Sequence, residues 1–363
     1  MTKPVVTATT LVTEDGVPIE AIHLPGAGDL ASVVAHGFTL SWQRPSIWRI
    51  ANRFNRTAGV LTFDFRGHGR SGGLSTLGDR EIKDLDVVVA YARQLGYKRI
   101  AAVGFSMGAS VVLRHAGLIG GLDAVVSVSG PGRWYYRGTE PMRRVHFAVE
   151  HRLGRFVARR WLKTRISPEG WPLVPVPPAE AATKIAPVPL LIVHGDKDHY
   201  FPPEHARQLY MAAREPKELW LLPGMGHAEA ACSQELVDRI GRWVDQAAAP
   251  AQAIAGHVAE SNGAGVPPGE PGQRLGVRGH QLKGPPQALG PLPRRRRRPA
   301  GQRVLCGTDR VERVGHGAVC DLREWLLRSG VKDGERPVSL DPFTPDEQAG
   351  WDVDAGEFRD AHV

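Results

Sequence analysis

Apolar residues fall into short β-branched runs alternating with stretches of helical spacing. Val5 to Val12 and Ile19 to His23 alternate apolar and polar around Glu14-Asp15-Gly16, which predicts a hairpin. Ala31 to Ala35 reads as a buried strand running into His36-Gly37-Phe38, and Ile47 to Phe54 has helical spacing. A strand over Gly59 to Phe65 and a helix over Asp79 to Leu95 follow, the helix with apolar positions at Ile82, Leu85, Val88, Val89 and Ala92. Ile100 to Val103 predicts a strand and Ala109 to His115 a helix. Further strands are expected at Ala124 to Val128, Leu190 to Val193 and Glu218 to Leu222, with a closing helix from Gln234 to Gln246. Strands alternating with helices predict an α/β fold: a mostly parallel sheet covered on both faces, joined by right-handed crossovers.

The alternation breaks between Gly130 and Ala186, so an inserted cap is expected over about residues 130–186. One amphipathic helix is predicted from Pro141 to Leu162, with Met142, Val145, Val149, Leu153, Phe156 and Val157 on one face. Arg143, Arg144, Arg152, Arg155 and Arg159 lie mostly elsewhere, and a Pro-rich stretch, Pro168 to Pro178, follows. Such an insertion can cover a site or touch a membrane surface; a packed helix with a solvated basic face is the plainer expectation.

After about Ala248 the character changes. The folded domain is expected over 1–248. Residues 249–301, rich in Gly, Pro and Arg, cannot bury enough apolar surface to offset chain entropy and read as a disordered linker. Residues 302–363 read as a poorly ordered tail with one short helical segment, Ala318 to Leu327. Gly, Pro and Arg enrichment also arises when GC-rich coding sequence is read out of frame.

Composition narrows the function classes. The 363 residues carry a formal charge of +8, a balance compatible with nucleic acid, anionic membrane or acidic substrates. Much of the excess sits in the basic cap and in Arg294 to Arg298. No nucleic acid is therefore expected for the 1–248 domain, and weak anionic or membrane contact is confined to those two patches. Three cysteines, Cys232, Cys306 and Cys320, make neither a disulfide framework nor a Cys-x-x-Cys zinc motif. No apolar signal core begins the chain and no run approaches bilayer length, so a cytoplasmic protein is expected.

The chemistry-bearing stretch is Gly104-Phe105-Ser106-Met107-Gly108, between a predicted strand and a predicted helix. Gly-x-Ser-x-Gly in that setting is a nucleophile-elbow signature: the tight turn lifts the hydroxyl out and aims the first helix amides at it. A Ser hydroxyl needs a base, and the base needs an orienting acid. Two later strand-end turns offer them in order, His194-Gly195-Asp196-Lys197-Asp198 and Leu222-Pro223-Gly224-Met225-Gly226-His227. Gly69-Arg70-Ser71-Gly72-Gly73 fits the same pentapeptide pattern, but a loop follows it, so Ser71 lacks a helix beneath it.

Residues 19 to 246 resemble an α/β-hydrolase-fold serine hydrolase of the esterase and lipase type. The pieces are His36-Gly37-Phe38, Asp64-x-Arg66-Gly67-His68-Gly69-x-Ser71, Gly104-x-Ser106-x-Gly108, His194-Gly195-x-x-Asp198 and Gly226-His227. The resemblance implies Ser106 as nucleophile, Asp198 as triad acid and His227 as general base. It implies an oxyanion hole at the Phe38 and Met107 backbone amides, with no metal and no organic cofactor. It makes the Asp64 to Ser71 segment a structural loop and favours Asp198 over Asp196. His36 would shape the oxyanion loop and His194 would be a structural hydrogen-bonder. His199 and His205 would be surface or supporting residues, and Cys232 a buried bystander.

The expected activity is hydrolysis of an ester or related acyl bond in a small-molecule acyl substrate. Trp134, Tyr135, Tyr136, Phe147, Phe156 and Trp161 would favour an apolar group or serve packing, and the single His-Gly turn resembles the branch handling short to medium acyl chains. A cofactor-free acyltransferase or perhydrolase on the same triad, and a non-catalytic ligand-binding homologue, are the alternatives. Nucleic-acid or membrane binding through Arg294 to Arg298 would be a separate activity.

Overall fold

A computed structural model of the protein describes residues 6–249. The expectations for the linker, the tail and Arg294 to Arg298 lie outside the described residues. The strands are β1 (Thr7–Val12), β2 (Pro18–Leu24), β3 (Leu30–Ala35), β4 (Gly59–Phe63), β5 (Arg99–Phe105), β6 (Ala124–Val128), β7 (Leu190–Gly195) and β8 (Lys217–Leu222). The helices are α1 (Pro45–Phe54), α2 (Glu81–Gln94), α3 (Met107–Leu118), α4 (Glu140–Glu150), α5 (Arg152–Trp161), α6 (Pro178–Ala182), α7 (Glu204–Ala212), α8 (Ala228–Ala231) and α9 (Gln234–Ala247).

The eight strands form one sheet in the order β1-β2-β4-β3-β5-β6-β7-β8. The hairpin partners pair antiparallel, as do β2 and β4; every other pair is parallel. This is the α/β-hydrolase fold. Strand periodicity builds its two cores. Val33, Leu61, Ala102, Val125 and Ile192 join the cluster containing Leu85, Val88 and Ala92 of α2 and Val111 and Val112 of α3. Their neighbours Val34, Val60, Val103, Val126 and Val193 join Ile47 and Ile50 of α1 and Leu236, Val237, Ile240 and Val244 of α9. Near-continuous apolar strands are what a sheet buried on both faces requires.

The insertion departs from expectation. The predicted single helix is two, because His151 is extended (φ −96°, ψ 141°) and breaks the hydrogen-bond run between α4 and α5. The break lets the two segments pack together and turns their small residues inward: Ala148, Gly154 and Ala158 are buried. The predicted apolar face is split. Val157 is buried, whereas Phe156 is 60% and Leu153 42% exposed. At its far end the insertion rejoins the scaffold, since Ala179 and Ala182 of α6 sit in the α2–α3 core. Among the described residues no helix is long and apolar enough to cross a membrane.

Candidate active site

Ser106 stands directly after β5, at φ 51° and ψ −111°, a conformation that non-glycine residues rarely adopt. The turn is affordable because its flanks are bare. A Cβ on Gly104 would lie 2.3 Å from the Gly108 carbonyl oxygen, and one on Gly108 2.3 Å from that of Ala35. The Ser106 amide donates to the Val128 carbonyl at 3.0 Å, which ties the strained residue to β6. α3 begins at Met107, so its first amides lack intrahelical acceptors beside the hydroxyl.

The two later turns deliver their side chains to the same point. His227 Nε2 and Ser106 Oγ are 3.0 Å apart, and His227 Nδ1 lies 2.8 Å from Asp198 Oδ2. With Nδ1 carrying the proton, His227 donates to Asp198 and Nε2 is free to accept from Ser106. The other carboxylate oxygen, Asp198 Oδ1, accepts from the Tyr200 and Phe201 amides at 2.9 and 3.0 Å. Burial alone would push the Asp198 carboxyl up; the hydrogen bond and charge of His227, with the Phe201 amide, hold it below its ordinary value. This geometry can carry a proton from a hydroxyl to an imidazole and stabilise the imidazolium.

Phe38 and Met107 line the cavity at Ser106. Two buried histidines hold the Phe38 turn. His36 donates from Nδ1 to the Gly37 carbonyl at 2.7 Å and accepts at Nε2 from the Phe65 amide at 3.1 Å. His68 donates to the Arg66 carbonyl at 3.0 Å and accepts from the Thr39 amide at 3.2 Å. Each ring accepts at one nitrogen and so is neutral, and burial lowers both to about 4.

The competing residues are engaged elsewhere. Ser71 is 1% exposed; its hydroxyl donates to the Asp64 carbonyl at 2.5 Å and accepts from the Glu20 amide at 2.9 Å. Asp196 accepts from the Gly224 amide at 2.7 Å. His194 is buried and donates to the Phe201 carbonyl at 2.8 Å. His205 is buried rather than on the surface, and accepts from the Gly132 amide at 3.1 Å. Cys232 is buried, its Sγ donating to the Ala228 carbonyl at 3.4 Å, and burial pushes its thiol up to about 12. No group of metal-ligating side chains occurs among the described residues.

A cavity of about 800 Å³ opens over Ser106 and His227. Met142, Val145 and Val149 of α4 and Ala158 and Leu162 from the α5 region line it. Of the insertion aromatics, Trp134, Tyr135, Tyr136 and Trp171 line the cavity, whereas Phe147, Phe156 and Trp161 are exposed and do not. Sequence reasoning passed over Glu229, a buried cavity-lining acid two residues after His227. An acidic residue that close to a candidate base was its one visible signal.

Comparison with known proteins agrees with this architecture. Residues 33–239 match the alpha/beta hydrolase family. The uncharacterized protein YfhR of Salmonella typhi is 26% identical over 214 residues, 58% of this chain and 64% of that protein. The chain spans less than two thirds of the length of the curated relatives it matches. Among solved structures, the Pyrococcus furiosus esterase Pf2001 superposes with a TM-score of 0.55 at 25% identity, over 67% of this chain and 91% of that one. The alpha/beta hydrolase GrgF from Penicillium sp. sh18 gives 0.53 at 18% identity, over 67% and 98%. With the family matched from within β3 to beyond β8, all three strand-end turns included, the chain belongs to the alpha/beta hydrolase family.

Proposed function

We propose that the protein is a serine hydrolase that cleaves carboxylic esters through Ser106, His227 and Asp198. The observation that carries this reading is the continuous relay from Ser106 Oγ through His227 to Asp198 at the base of an apolar cavity. The similarity to an esterase, Pf2001, supports the same substrate class.

His227 Nε2 takes the Ser106 proton as Oγ attacks the ester carbonyl. The oxyanion is held by the Phe38 and Met107 amides. The imidazolium passes its proton to the leaving alkoxide, giving an alcohol and an acyl-enzyme. Water, deprotonated by His227, attacks that ester, and the acid departs as Ser106 regains its proton. The single His36-Gly37 turn favours an acyl group of short to medium length. A chain-length panel of chromogenic esters tests the reading: wild type is expected to turn over the shorter apolar esters, and Ser106→Ala to be inactive on all. Wild-type turnover by Ser106→Ala would refute it. An alcohol or peroxide acceptor that outcompetes water would turn the reading into acyl transfer on the same relay.

A second reading concerns where substrate is met. The outer face of α5 carries exposed Phe156 among Arg152, Arg159 and Arg160, a pattern suited to the interface of an anionic bilayer. Sedimentation with anionic, but not neutral, vesicles is expected, and its loss in Phe156→Ser tests the contact.

A further inference from the structure

Glu229 is the second residue of α8, and it shares the cavity wall with Gly37, Ser106 and His227. It is 6% exposed. Its Oε2 has no hydrogen-bond partner among the described residues. A Cβ placed on Gly37 would lie 3.3 Å from Oε1, 3.5 Å from Oε2 and 3.4 Å from Ser106 Cβ. The carboxyl and Ser106 thus flank the same point beside Gly37, on the turn that carries the Phe38 amide.

The surroundings offer this carboxyl no cation of its own. The Arg49 guanidinium, from α1, donates to the Glu229 and Cys232 backbone carbonyls at 3.4 and 3.0 Å, so it holds the α8 backbone. His227 precedes it by two residues, and the Cys232 thiol, which burial and the charge of Glu229 push up to about 12, is protonated. A buried carboxyl without a cation favours its neutral form. Burial raises Glu229, only partly opposed by its own backbone amide and by His227. An ionised carboxylate there would repel the charge that develops on a substrate carbonyl oxygen at the Phe38 turn. A protonated one would donate to it.

We propose that Glu229 is a further catalytic residue: as a neutral carboxylic acid it donates a hydrogen bond to the substrate's carbonyl oxygen as that oxygen becomes anionic. No proton is transferred; Glu229 acts beside the two backbone amides. The proposal rests on the reading of Ser106 as nucleophile.

The pH dependence of kcat/KM on a chromogenic ester tests it. In wild type the rate should fall on the alkaline side as Glu229 ionises. The fall should reverse on return to neutral pH. Glu229→Gln keeps a donor that cannot ionise, so its rate should rise to a plateau and stay within about threefold of the wild-type maximum. Glu229→Ala should lose about tenfold to a hundredfold in kcat, also without an alkaline fall. A wild-type profile that rises to a plateau overturns the proposal whether or not the variants fold. A Glu229→Gln profile with the same alkaline fall overturns it too. So does a Glu229→Gln rate about a hundredfold down, which would mean an anionic Glu229 supporting the imidazolium. Fluorophosphonate labelling of Ser106 in the same samples keeps failure of this proposal distinct from failure of the triad.

Discussion

The sheet-borne floor of the site and the inserted cover above it are built on opposite terms. In the floor each proposed triad side chain follows the carboxyl end of a strand of the sheet: Ser106 after the buried β5, Asp198 after the buried β7, His227 after the edge strand β8. Its backbone tolerates no slack, as the bare Gly104 and Gly108 show. The cover rests on two short helices with few buried residues, Ala148 in α4 and Gly154, Val157 and Ala158 in α5. Large apolar groups on it, Phe147, Phe156, Trp161 and Leu173, remain exposed. A rigid floor fixes reacting atoms to within fractions of an ångström, whereas a cover needs only to shape the space above them. Substitutions should therefore be costly in the floor and graded in the cover.

The largest expected effect is Ser106→Ala or His227→Ala, each lowering ester turnover by about four powers of ten or more. Asp198→Asn comes next, with a loss of about three to four powers of ten from the wrong imidazole tautomer. Asp196→Asn should stay within about threefold, and parity between the two aspartate variants would break the assignment. Gly108→Ala tests the floor's rigidity. With its Cβ 2.3 Å from a backbone oxygen, thermal melting should fall by the equivalent of about 3 kcal/mol or more.

Acid should weaken the floor. Burial lowers His36, His68 and His205 from 6.5 to about 4. As pH falls from 6.5 towards 4 the unfolded chain takes up protons that the folded rings refuse, so stability is lost across that window and is complete above it. One such ring contributes on the order of 3 kcal/mol. Denaturant midpoints that stay flat between those pH values would contradict the neutral rings. The smallest effect belongs to the outer cover: Phe156→Ser or Trp161→Ser should leave turnover of a small dissolved ester within about twofold, and a hundredfold loss would show the cover to be as constrained as the floor.

The same contrast governs what the sequence could reveal. The floor was legible because its signals are local: a β-branched run, a glycine pair around Ser106, a turn ending in Asp198 or His227. Helical spacing predicted α2 and α9 within a residue or two of their ends because their apolar faces are covered by the sheet. In the cover, the same spacing joined α4 and α5 into one helix. Nothing local marks His151 as the break, which comes from packing Ala148 against the next segment. Nor does amphipathic spacing say whether an apolar face is covered, so Phe156 read as sharing one apolar face with Val157, of which only Val157 is buried. Glu229 was missed for a related reason. Its setting depends on α8 approaching Gly37, about 190 residues earlier in the chain, a juxtaposition that only the folded sheet creates.

The central claim is that one hydroxyl, Ser106, is the nucleophile on this floor. Treating the full chain with a fluorophosphonate probe and mapping the adduct by peptide mass spectrometry tests it most directly. The account predicts stoichiometric label on the peptide containing Ser106, lost in Ser106→Ala and strongly slowed in His227→Ala. Label on Ser71, or undiminished labelling of Ser106→Ala, would contradict it.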